Sequence, residues 1–151
     1  VELLAVPPGV LHGEAELIFR DLGREECLGR LREGSFGRLG VTVGALPLVL
    51  PVHYCLDPAI PAVVIRSMPG SKLDAATREA VVAFEIDDYD PDLGRGWSVV
   101  VQGRSRAVSE PETIARLRRL PLPMVAGDGS DDRFITVDLD IVSGRELVRE
   151  R

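Results

Sequence analysis

Arg133-Phe134-Ile135-Thr136-Val137-Asp138-Leu139-Asp140-Ile141 alternates strictly, with Ile135, Val137, Leu139 and Ile141 on one side and Thr136, Asp138 and Asp140 on the other. A period of two sorts these residues onto the two faces of a strand, whereas a helical period of 3.6 would scatter them. The stretch is therefore expected to be a strand with one face in a core and the other in water. The same texture of short β-rich runs separated by Gly, Pro and Asp extends back to Gly34. It predicts strands near residues 36–44, 47–56, 61–67, 80–87, 96–108 and 133–141. In the fifth, Val99 and Val101 continue the side of Trp97, while Ser98, Val100 and Gln102 point the other way. That strand is expected to be covered on both faces, as a buried dimer contact would do.

Helical signals precede this pattern in one place and interrupt it in two. From Gly23 to Arg32, Cys27, Leu28 and Leu31 recur at helical spacing, Glu25 and Glu26 suit the N-terminal end, and Gly34 can supply a left-handed stop. Ser109-Glu110-Pro111-Glu112 reads as a capped helix start with Pro in the first turn and Glu112 closing a capping box, followed by an apolar stripe of Ile114, Leu117 and Leu120. A short helical piece is expected over Lys72–Arg78, directly after Met68-Pro69-Gly70-Ser71. Residues 1–20, with Pro7, Pro8 and Gly9, read as an N-terminal arm, and residues 21–151 as one domain. The elements add up to a mostly β, antiparallel barrel with a few flanking helices, in which closure removes exposed sheet edges.

Composition bounds the function. The chain has 151 residues, 45% of them hydrophobic and 28% charged, which is the make-up of a globular protein with one core. A net charge of −6 and a sequence pI near 5.0 argue against a nucleic-acid partner, which needs a basic face to displace counterions from phosphates. The N-terminal Val-Glu-Leu-Leu-Ala-Val-Pro-Pro-Gly run has no basic leader and is broken by prolines, so neither a signal peptide nor a membrane span is expected. Cys27 and Cys55 form no C-x-x-C pair, which leaves no disulfide framework and no zinc spacing and points to a reducing cytoplasm.

Lys72 is the only lysine, and its neighbourhood is distinctive. Val63-Val64-Ile65-Arg66-Ser67-Met68-Pro69-Gly70-Ser71-Lys72 runs from a strand through a tight turn into a helix start. Gly70 lets backbone approach an anion, the helix start offers N–H donors, Ser67 and Ser71 add hydroxyls, and Arg66 and Lys72 add charge. The two readings of this segment are a phosphate site and an ordinary charged β-to-α turn. It is not a triphosphate loop, because the G-x-x-x-x-G-K-[ST] spacing is missing. His53, in the apolar run Leu48–Cys55, is either a hydrogen-bonded structural residue or a pocket-lining residue able to transfer a proton. Trp97 either covers a core edge or walls a flat ring. The aspartate-rich stretches 87–92 and 128–132 lack calcium-loop spacing and read as solvated turns, so no metal site is expected. There is no G-x-S-x-G, H-E-x-x-H or strand-linked G-x-G-x-x-G, which leaves hydrolase, zincin and dinucleotide-fold readings without support.

The succession of motifs resembles the pyridoxamine 5′-phosphate oxidase-like FMN-binding split-barrel family, in particular its short, nitroimidazole-reductase-like branch. Gly37-Arg38-Leu39-Gly40-Val41, Pro47–Tyr54, Arg66-Ser67 with Gly70–Leu73, Val82–Asp87, Gly96-Trp97-Ser98-Val99 with Gly103, and Ile141–Arg145 occur in family order across residues 22–147. The resemblance implies an antiparallel split β-barrel, a homodimer, and two flavin sites at the subunit interface with residues from both chains in each. It implies a phosphate-binding turn at Arg66, Ser67, Ser71 and Lys72, a flavin ring along Val52 and His53, and Trp97 and Ser98 lining the flavin pocket. His53 is the candidate proton donor.

Departures bear on the substrate. The loop where branch members often carry a tryptophan reads Leu122-Pro123-Met124-Val125-Ala126, and nothing in Gly144–Arg151 matches the substrate residues of the true oxidases. Both argue against vitamin B6 oxidation. The expected activity is that of an FMN-dependent oxidoreductase acting on a small organic molecule, with the cofactor doing the redox chemistry. Two alternatives stand beside it: a reductase using the deazaflavin coenzyme, whose acidic tail would call on Arg104 and Arg106, and a non-catalytic dimer that holds flavin or haem.

Overall fold

The computed structural model describes residues 16–71, 73–74, 77–124 and 133–149. Among them are nine strands, β1 (Leu17–Leu22), β2 (Phe36–Val43), β3 (Leu46–His53), β4 (Cys55–Leu56), β5 (Ala62–Ser67), β6 (Val81–Asp90), β7 (Arg95–Ala107), β8 (Arg133–Asp138) and β9 (Ile141–Arg149). Two helices accompany them, α1 (Arg24–Glu33) and α2 (Pro111–Leu117). Every pairing is antiparallel, in the order β3-β2-β6-β7-β8-β5-β4, with β9 branching from β7 and β1 added outside β9. The curled sheet is a split β-barrel.

The branch point is the long strand β7. Residues 96–102 pair with β9, then residues 105–107 pair with β8. Gly103 lies between these two pairings, and a Cβ there would sit 1.9 Å from the Asp138 carbonyl oxygen. Only a residue without a side chain lets the strand pass so close to β8. Leu39, Phe84, Val99 and Val101, all fully buried, fill the barrel core, as the alternation of their strands requires. Strand β5 is buried on both faces: Val63 and Ile65 enter the main core, while Val64 joins Leu117, Leu122 and Phe134 in a smaller cluster.

Helix α1 packs Cys27 and Leu31 on the core, and the Glu26 carboxylate accepts the Gly23 N–H at its start at 2.9 Å. Its end differs from the left-handed stop expected at Gly34, whose backbone is extended (φ −78, ψ 164). Glycine is required there for room, since a Cβ would lie 2.3 Å from the Tyr54 hydroxyl, which donates to the Leu31 carbonyl at 2.7 Å. Helix α2 likewise lacks the expected capping box. Its N-cap is Glu110, which makes no side-chain cap bond, and Pro111 supplies the preset first turn.

Two expectations from alternation and texture need correction. The apolar side of residues 133–141 is buried through Leu139, but Ile141 is 60% exposed, because the chain turns at 139–140 and begins β9 opposite Gln102 of β7. Residues 17–20, assigned to an irregular arm, belong to strand β1, held by pairing to β9 rather than by burial. Residues 1–15 of the arm, Lys72 and the 128–132 turn lie outside the described residues. In the other acidic stretch, residues 87–90 belong to strand β6 and pair with β7 rather than forming a turn; the turn is 91–94, where Asp90 accepts the N–H groups of Asp92 and Leu93. No helix among the described residues is long and apolar enough to cross a membrane.

Candidate functional site

The ends of β3 and β5 converge on a cleft of about 450 Å³, within the range of small-molecule sites. Val52 and His53 come from β3, Arg66 and Ser67 from β5, and Ser71 from the turn that follows. A strap after α2, Leu122-Pro123-Met124, forms the facing wall. Five of the eight site residues expected from sequence therefore meet in one place. Lys72 follows Ser71 in the chain and is outside the described residues.

Arg66 and Ser67 differ because alternation sends them to opposite faces of β5. The Arg66 guanidinium lies over the Phe134 ring at 5.1 Å and donates to the carbonyls of Leu122 and Pro123, both at a long 3.4 Å. Ser67 is 3% exposed, and its hydroxyl is buried without a hydrogen-bond partner among the described residues. An unsatisfied buried hydroxyl is costly, which makes one at the lining of a ligand-sized cleft a candidate contact for a ligand. The Arg66 guanidinium lines the same cleft, and a hydroxyl and a guanidinium lining one cleft match an oxyanion such as phosphate.

The turn itself holds an anion less openly than its sequence promises. The Ser71 N–H donates to Met68, the Gly70 N–H to the Asp74 carboxylate at 3.2 Å, and the Asp74 N–H to the Ser71 hydroxyl at 3.0 Å. Asp74 is buried, and the Arg78 guanidinium at 3.0 Å, helped by the Gly70 N–H, holds its carboxyl below the usual range. These backbone donors are spent within the turn, so recognition of an anion falls to side chains. The pattern Ser71-x-x-Asp74 is a helix-start signature that could have flagged this self-capping in advance.

His53 is exposed, packs edge-on to Phe36 at 5.1 Å and makes no side-chain hydrogen bond among the described residues. That geometry removes the reading of a hydrogen-bonded structural histidine and leaves the ring available at the cleft. Trp97 and Ser98 lie elsewhere in the same chain. Trp97 is half-buried under the Arg30 guanidinium at 4.5 Å, and Ser98 lines a separate depression with Val100, Ser143 and Arg145. Burial pushes the Cys55 thiol up to about 11, too high for a nucleophile at neutral pH. Arg104 pairs with Glu79 at 3.8 Å and Arg106 with Asp138 at 3.1 Å, and neither lines the cleft, so the basic groove that a deazaflavin tail would need is not built from them.

A family model described as pyridoxamine 5′-phosphate oxidase matches residues 23–146. The chain belongs to this family. An uncharacterised protein of Mycobacterium tuberculosis is 35% identical over 135 residues, covering 86% of each chain. Among solved structures, the FAD binding protein from Mycobacterium smegmatis superimposes with a TM-score of 0.75 at 27% identity, covering 85% of this chain and 98% of its own. A FAD-binding protein from Mesorhizobium loti gives 0.70 at 26% identity, covering 88% and 99%. In this family member, sequence motifs pointed to the β3 and β5 ends. They missed Asp74 and the pair formed by Asp57 and Arg116, because an ion pair 59 positions apart leaves no local pattern.

Proposed function

We propose that this pyridoxamine 5′-phosphate oxidase family member binds FMN in the β3–β5 cleft and acts as a flavin-dependent oxidoreductase on a small organic molecule. The observation that carries the reading is the Ser67 hydroxyl, buried without a partner among the described residues, in a cleft that the Arg66 guanidinium also lines. Arg66 and Ser67, with Ser71 and Lys72, hold the phosphate. Val52 offers an apolar contact to the ring, and His53 stands where it can deliver a proton. The bound flavin supplies the hydride or electron transfer. A mononucleotide is favoured because both basic residues this reading gives the site, Arg66 and Lys72, are assigned to one phosphate, and a second phosphate would call for more. That the similar proteins from M. smegmatis and M. loti are FAD-binding supports a flavin in general.

The protein works as a homodimer in this reading, in a reducing cytoplasm. Phe36, Val49, Val81 and Ile141 are 50%, 64%, 76% and 60% exposed, and strand alternation sets all four on the outer face of the sheet. So much apolar surface on one face favours a partner. A second copy there would bring Ser98, which shares that outer face with Ile141, to the other chain's flavin, whereas Trp97 faces the core side under Arg30. The test is the absorbance spectrum of freshly purified protein, mass spectrometry of the small molecule released on denaturation, and anaerobic addition of NADH or NADPH. Bound FMN that bleaches on reduction is expected. A protein that neither carries nor takes up flavin overturns the binding half, and a bound flavin that neither donor reduces overturns the oxidoreductase half.

A further inference from the structure

Asp57 lies in the loop between β4 and β5, with its side chain only 1% exposed. Arg116 of α2 grips it with two parallel bonds of 2.6 and 2.8 Å, and the Ala59 N–H adds a third at 2.9 Å. Neither residue lines the cleft. A buried carboxylate is costly unless fully paired, so this geometry fixes α2 against the β4–β5 loop.

The consequence travels a short distance. Leu117, the next residue of α2, is fully buried against Val64, Phe134 and Leu122. The chain then winds tightly, the Leu120 N–H donating to Leu117 at 3.0 Å and the Leu122 N–H to Leu120 at 2.7 Å. It emerges as Leu122-Pro123-Met124, the wall whose carbonyls receive the Arg66 guanidinium. Those two bonds are long, so the aim of Arg66 depends on where the wall stands.

We propose that the Asp57–Arg116 pair is a positioning device for the cofactor. By anchoring α2 it sets the 122–124 wall, and the wall sets the Arg66 guanidinium for the phosphate. This rests on the reading of the cleft as a flavin phosphate site. Its signature is selective: loosening the pair weakens binding of the phosphate and leaves binding of the ring.

The test titrates FMN and riboflavin, which differ only by the phosphate, into apoprotein of the full chain, its Asp57→Asn and Arg116→Lys variants, and each of these combined with Arg66→Ala. The wild type is expected to prefer FMN. Asp57→Asn is expected to cut FMN affinity about tenfold, the scale of one charge-assisted hydrogen bond, while riboflavin affinity stays within about twofold. Arg116→Lys, which keeps the charge and loses the fork, is expected to keep part of the preference. In the Arg66→Ala background neither change is expected to matter, and amide exchange over residues 118–124 should quicken in the Asp57→Asn protein. Equal losses of FMN and riboflavin, or none, would overturn the proposal while the phosphate reading stands. A wild type indifferent to the phosphate would overturn both, and it would show before any variant is made. If Asp57→Asn does not fold, Arg116→Lys and its combination with Arg66→Ala decide the same question.

Discussion

The barrel core and the small cluster around Phe134 are built from opposite faces of the same strand, Val63 and Ile65 pointing into the first and Val64 into the second. They differ in how they are closed. The core is surrounded by sheet and α1, and its large residues, Phe84 and Tyr54, stack edge-on at a centroid distance of 4.7 Å. The small cluster is roofed by α2 and a strap, the roof is fastened by a polar pair, and its outer edge is the cleft wall. The core therefore carries stability with little reference to ligand, while the cluster carries the shape of a binding site.

Substitutions can break or sharpen that contrast. The largest effect is expected for Phe84→Ala, at about 3–5 kcal/mol of unfolding free energy, against about 2–4 for Leu117→Ala. Flavin affinity should separate them: denaturant unfolding followed by FMN titration of the folded fraction should show near wild-type affinity for Phe84→Ala and clearly weaker affinity for Leu117→Ala. The reverse pattern would remove the distinction between the two regions.

Arg66→Ala should leave the unfolding midpoint of the apoprotein little changed and weaken FMN by about tenfold or more, the scale of a charge-assisted hydrogen bond. An acid effect of intermediate size follows from Asp57. Arg116 holds its folded carboxyl below the ordinary value. Its contribution to stability is thus fully present above the unfolded pKa, near 3.9, and is lost as pH falls through the lower folded value. Asp74 acts with the same sign. Midpoints measured from pH 6 downward should stay level and then drop below about pH 4, and Asp57→Asn should flatten that drop while lowering the neutral plateau.

The smallest effect has the most telling sign. Removing the Ser67 hydroxyl, buried without a partner among the described residues, with Ser67→Ala should leave the apoprotein unchanged or slightly more stable, because an unsatisfied buried polar group is taken away. FMN should bind about fivefold more weakly. A stability loss without an affinity loss would mean that the hydroxyl serves the fold rather than a ligand.

How much of this was readable from sequence depends on whether the signal was local. Strands β2, β3, β5 and β8 announced themselves through alternation or apolar runs bounded by Gly and Pro, and α1 through its spacing of Cys27 and Leu31. Strand β9 did not, because Ser143, Gly144, Arg145 and Glu146 carry no apolar alternation and only pairing with β7 and β1 gives them a place. The cleft was half legible: its β3 and β5 residues sit in contiguous motifs, but the wall and its Asp57–Arg116 anchor depend on contacts between distant segments. The open backbone donors expected at the 68–71 turn failed for a nearby reason, a carboxylate three residues on from Ser71 that takes the Gly70 N–H.

The most direct test of the account compares FMN and riboflavin binding to the unmodified apoprotein by flavin fluorescence. If Arg66 and Ser67 hold a phosphate, FMN should bind at least about tenfold more tightly, by roughly the 1.4 kcal/mol or more that a charge-assisted hydrogen bond contributes. Equal affinities for the two would contradict the phosphate site, and with it the reading of this cleft.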